Sequence, residues 1–93
     1  MLASDENHLD LDCGISCARI SLWLDDELAL DSDRGSWTYA AHGQSCSIAL
    51  EPLENRTLGH VSIERTHLTA QGGPDALAEF EKLFTLRFIS AGG

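Results

Sequence analysis

Two short stretches carry side chains that could bind a metal. Cys13-Gly14-Ile15-Ser16-Cys17 and His42-Gly43-Gln44-Ser45-Cys46 share the same three-residue gap, giving C-x3-C, twenty-four residues, then H-x3-C. Three thiols and an imidazole suit a structural zinc ion, which takes such ligands in a tetrahedron. The local geometry works against that. Residues four apart on an extended chain are ~13 Å apart, whereas two sulfurs on one zinc lie less than about 5 Å apart. Gly14 would have to fold the first pair into a tight knuckle. Cys46 also alternates in step with Ile48 and Leu50, which points it into a core. On the competing reading, Cys13, Cys17 and Cys46 are small buried hydrophobes. The C-x-x-C spacing of thiol redox sites is absent, because this gap is one residue longer.

Other chemistry is thinner. His60, Ser62 and Glu64 alternate along "HVSIE" and share one side of a predicted strand. Same-face neighbours there are ~6–7 Å apart, too far for the ~2.6–3.2 Å contact between a nucleophile and its base. They read as a polar strand face, and His67 and Tyr39 have no partner visible in the sequence. "QGGPD" is glycine-rich ahead of a helix, as anion sites are. It has no P-loop lysine, and Asp75 and Glu79 would repel an anion. The expectation is a protein without catalytic residues or a cofactor.

The chain ends Ser90-Ala91-Gly92-Gly93. A predicted last strand running out into Gly92 and Gly93 resembles the tail of ubiquitin-like carrier proteins, including the bacterial sulfur carriers. The resemblance implies a terminal glycine carboxylate that is activated in a site too narrow for side chains. It covers residues 91–93. It departs elsewhere, since those carriers place their main helix after the first hairpin rather than directly before the final strand. A fraying chain end accounts for two glycines equally well.

Charge is the strongest global signal. The 93 residues carry a formal net charge of −9. Residues 1–33 hold nine acids against Arg19 alone, while residues 34–93 hold six acids and five bases. Such a surface repels phosphate backbones and anionic lipid headgroups, which disfavours nucleic acid and membrane as partners. It would steer a basic protein towards itself. Trp23 falls opposite the apolar face of its predicted strand, beside Asp25, Asp26 and Glu27, and Trp37 follows Asp31 and Asp33. An exposed tryptophan rimmed by carboxylates is the composition of a protein-docking site. Trp37 reads as a core residue.

The elements that must position these groups follow from periodicity. Residues 1–12 are acidic and polar and read as a flexible N-terminus; residues 13–93 read as a single domain. Ala18, Ile20, Leu22 and Leu24 alternate with Arg19, Ser21 and Trp23, as a half-buried strand would, with a helix over 20–30 as the rival. "WTYAAH" and "SCSIALE" are a predicted hairpin. "EPLENRT" reads as a loop around Pro52. In "LGHVSIERTHLTA" the parity of Val61 and Ile63 clashes with that of Leu68, predicting a bulge near 65–67.

Pro74 to Phe84 is a predicted helix, with proline in the first turn and Leu77, Phe80 and Phe84 as its buried stripe. "TLRFIS" would close the chain as a strand. The sum is α+β: an antiparallel sheet of about five strands, one helix (about 74–84) packed on one face, and a final strand. The acidic N-terminus lacks the basic and apolar regions of a signal peptide, so a cytoplasmic location is expected, with reduced thiols.

Overall fold

The computed structural model describes residues 7–89. Five antiparallel strands form a single sheet: β1 (His8–Cys13), β2 (Asp31–Asp33), β3 (Ser36–Ala41), β4 (Gln44–Leu58) and β5 (Val61–Gly72). Strands β2 to β5 form a meander, and β1 adds to the far side of β5, giving the order β1-β5-β4-β3-β2. Helix α1 (Cys17–Leu22) continues as a π-helical turn over Trp23–Glu27. Helix α2 (Pro74–Phe84) continues likewise over Thr85–Ile89.

The α+β class, the antiparallel five-stranded sheet and the helix at 74–84 match the sequence expectation. Other segments differ, each for a physical reason. Residues 17–27 are helical rather than extended. Ser16 caps the helix, its Oγ accepting from the Arg19 N–H at 3.2 Å. On a helix Ile20, Trp23 and Leu24 share one face. All three are buried, while Leu22 is 60% exposed. The alternation of Ile20, Leu22 and Leu24 thus mimicked a strand, although Leu22 belongs to solvent. Ala29 ends the helical segment in the left-handed conformation (φ 51°), a position where glycine is the usual stop signal.

The second difference is the end of the chain. Residues 85–89 prolong α2 as a π-helical turn, so the described residues contain no strand after it. Phe88 thereby reaches Trp23, ring centroids 5.3 Å apart, and Phe84, at 5.1 Å. Third, the segment expected to fray supplies β1 from His8 onward, with Leu9, Leu11 and Cys13 turned towards the core.

Strand β4 also runs through the predicted loop at 51–57. Pairing with β3 ends at Ala49, so Pro52 sits where β4 is an edge, and its missing N–H is tolerated there. The irregularity lies in β4 between Leu53 and Arg56, not in β5 near 65–67, where register is continuous from Arg65 to Gly72. Ile63 and Leu68 occupy opposite faces of an unbroken strand. Beyond the ends of β1 and β3, residues 53–65 extend as a two-stranded ribbon turning at Gly59 and His60.

Both helical segments cover one face of the sheet. Trp23, Leu24, Leu77, Phe80 and Phe84 pack on Cys46, Ile48, Leu68 and Ala70. Trp23 lies at the centre of an aromatic cluster, 5.8 Å from Phe80 and 5.9 Å from Phe84 between centroids. The sheet also holds the start of α2. Gln44 Oε1 accepts from the backbone N–H of Asp75 at 2.8 Å and of Ala76 at 3.3 Å, doing the work of a cap that Gly73 has no side chain to do. Gly72 is required at this junction, because a Cβ there would collide with the Ser45 carbonyl oxygen.

Candidate functional site: the uncovered sheet face

Directly paired residues of an antiparallel sheet lie on the same face, so the register fixes what the uncovered side carries. Its rows run His8–Gln71–Ser47–Thr38–Asp31, Asp10–Thr69–Ala49–Ser36–Asp33 and Asp12–His67–Glu51. The middle is a floor of short side chains. Carboxylates stand at both margins: Asp10 and Asp12 on β1, Asp31 and Asp33 on β2, with Glu51 beside His67. No described helix crosses this side. Towards the ribbon the sign changes, because Arg65 and Arg56 line a groove with Asp12, Gly14, Leu58 and Ile63.

His67 is the best-defined group on the face. Its Nδ1 contacts Asp12 Oδ1, and its Nε2 lies 2.9 Å from Asp10 Oδ1. The other oxygen of Asp10 is 3.6 Å from His8 Nε2. The hydrogen bond to Asp12 holds the imidazole pKa above its ordinary value; the charges of Asp10, Asp12 and Glu51 add to this, and partial desolvation opposes it. Among the described residues, Asp10, Asp12 and His67 are the one set of three metal-type donors whose atoms converge, all within 4.8 Å of one another.

The thiol–imidazole quartet does not assemble. Cys13 pairs with Thr66 and Cys46 with Gly72, six residues apart along β5 and hence about 20 Å. Cys13 Sγ donates to the Thr66 carbonyl at 3.5 Å, and Cys17 Sγ lies 3.4 Å from Thr66 Oγ1. The two thiols therefore bracket one buried threonine, whose hydroxyl donates to the Ile15 carbonyl at 2.5 Å. Burial pushes the Cys13 thiol up, with Cys17 and Asp12 adding and a backbone hydrogen bond from Ile15 opposing; burial alone raises Cys46. His42 sits in the β3–β4 turn, 3.6 Å from Glu79 of α2.

The proposed aromatic docking patch is also divided. Trp23 is 4% exposed, a core residue rather than a surface anchor. Asp25 accepts from Trp37 Nε1 at 2.8 Å, and Glu27 pairs with Arg87 at 3.2 Å. Asp26 points to solvent on the helical side, while Asp31 and Asp33 stand on the opposite, uncovered face. His60 lies in the ribbon turn and Ser62 accepts from Asn55 Nδ2 at 3.1 Å, so the alternating trio does not gather. Gly92 and Gly93 lie outside the described residues.

Sequence reasoning missed the His67 cluster. The available signal was "HLDLDC", in which His8, Asp10 and Asp12 alternate strictly with Leu9 and Leu11. That period already places the three polar groups on one side of a strand. Only the non-local pairing with β5 brings His67 to them.

No protein-family model, curated protein or solved structure matches this chain. The described residues form a two-layer α+β arrangement, with helices on one side of an antiparallel sheet and an acidic face that none of them covers on the other. Among the described residues no helix is long and apolar enough to cross a membrane.

Proposed function

We propose that the protein works by contact with a basic protein partner, which docks on the uncovered sheet face. The observation that carries this reading is the register: it gathers Asp10, Asp12, Asp31, Asp33 and Glu51 around a floor of Ser36, Thr38, Ser47, Ala49 and Thr69. Short side chains leave the face accessible to long lysine and arginine side chains. The net charge of −9 attracts such a partner from a distance, and the marginal carboxylates set its orientation. Asp25 and Glu27, already engaged with Trp37 and Arg87, belong to the fold rather than to this surface.

The test uses an oligolysine peptide titrated into the full chain and followed by amide NMR shifts. Shifts should centre on Thr38, Ser47 and Thr69. Asp31→Asn with Asp33→Asn should weaken binding several-fold and flatten its salt dependence. Asp26→Asn with Glu81→Gln removes the same charge from the helical side and should leave binding nearly unchanged. Equal weakening by both pairs, or shifts spread over every exposed carboxylate, would overturn the reading.

A further inference from the structure

We infer that His8, Asp10 and His67 form a binding site for a divalent first-row transition ion, with Zn2+ as the type case and Asp12 as the outer carboxylate. The two nitrogens of an imidazole point in opposite directions, so one ion can use only one of them. Asp12 occupies Nδ1 of His67. This holds one proton there, so an ion displaces the other proton from Nε2, which faces Asp10 at 2.9 Å. The result is the carboxylate–histidine–metal arrangement that orients a ligand and raises its basicity.

Distances support the same assignment. Two donors on one tetrahedral ion at ~2.1 Å are separated by about 3.4 Å. His67 Nε2 lies 2.9 Å from Asp10 Oδ1 and His8 Nε2 lies 3.6 Å from Asp10 Oδ2, so each imidazole stands near that spacing from its own oxygen of the one carboxylate. His8 does not belong to the converged set. It is an exposed side chain on an edge strand, and its place as the third ligand rests on a rotation about its side-chain bonds. The fourth position is open to water, as in sites with three protein ligands.

The donor set selects the class of ion. Two imidazoles and one carboxylate favour zinc, cobalt, nickel or copper, whereas magnesium and calcium require oxygen ligands throughout. The surroundings favour a cation as well: Glu51 pairs directly with His67 across the sheet, and the chain is strongly acidic. Cys13, Cys17, His42 and Cys46 take no part, which separates this site from a thiolate zinc site. The inference stands independently of docking on the same face.

The test is calorimetric titration of the metal-stripped full chain with Zn2+, with Mg2+ as the control ion, together with the visible spectrum of the Co2+ complex. One ion per chain should bind, and Mg2+ should neither bind measurably nor compete. His67→Gln and Asp10→Asn should each weaken Zn2+ at least tenfold, and Asp12→Asn about 10–100-fold as an outer-shell change. Cys17→Ser and His42→Gln should leave affinity unchanged. Paramagnetic broadening by Co2+ should reach the ring protons of His8 and His67 before those of His42 and His60, a readout that needs no variant to fold. A Co2+ spectrum with thiolate charge-transfer bands, undiminished Zn2+ affinity in His67→Gln, or no binding at all would overturn the inference.

Discussion

Trp37 Nε1 donates to Asp25 Oδ1 at 2.8 Å, joining strand β3 to the π-helical turn that follows α1. The bond links a half-buried indole to an ionised side chain at the surface, and it makes Asp25 a structural residue. Asp25→Ala should lower stability by about 1 kcal/mol, a charged hydrogen bond discounted for its exposure. Asp26→Ala, one residue on and exposed, should stay within about 0.5 kcal/mol of the parent. Urea unfolding followed by tryptophan fluorescence measures both; equal effects would remove the structural role of Asp25.

Leu22 and Leu24 distinguish the helical from the extended arrangement of the first apolar segment. Leu22 is 60% exposed and Leu24 fully buried. Leu24→Ala should cost about 2–5 kcal/mol, and Leu22→Ala less than about 0.5 kcal/mol. Alternation in a strand would make the two losses alike. Denaturant midpoints of the two variants decide it.

Ala29 offers a change in the opposite direction. It adopts φ 51° at the end of the helical segment, where a Cβ costs roughly 1–2 kcal/mol. Ala29→Gly should therefore stabilise the protein by up to about 1 kcal/mol, once the greater freedom of glycine in the unfolded chain is subtracted. A rise in melting temperature is the expected result, and a fall would show that the turn is held by other means.

The pH dependence follows from His67. Its pKa is raised in the folded protein, first by the bond to Asp12. Stabilisation from this group is thus fully present below its unfolded value of about 6.5 and is lost as pH rises through the folded value. In the presence of a chelator, the difference in urea midpoint between the parent and His67→Gln should be larger at pH 6 than at pH 8.5. The comparison with the variant isolates the contribution of this one imidazole. A difference independent of pH would mean that the imidazole carries no net proton in the pair.

What could be read from the sequence was local. The α2 helix was marked by Pro74 at its start and by Leu77, Phe80 and Phe84 at helical spacing, and the β3–β4 hairpin by two alternating runs around Gly43. Failures came where one residue carried the decision against a repeating pattern. Ser16 as a cap and Trp23 as a buried residue outweigh the alternation of Ile20, Leu22 and Leu24. Pro52 read as a strand breaker because nothing in the sequence says that β3 stops at Ala49. The site was least legible of all: His67 meets Asp12 across 55 positions of chain, and no local period encodes that meeting.

The position of β1 bears on the order in which the molecule is assembled. Strands β2 to β5 pair with their immediate chain neighbours, but β1 pairs only with β5, His8 lying opposite Gln71. During synthesis the first strand must wait, its edge unmatched, until its partners from Thr66 to Gln71 have left the ribosome. Closing so long a loop is slow compared with zipping the meander. The carboxylates of Asp10 and Asp12 sit on that waiting strand and oppose its pairing with other nascent chains. The same acidic residues that mark the mature surface thus act earlier, as guards against misassembly while the fold is incomplete.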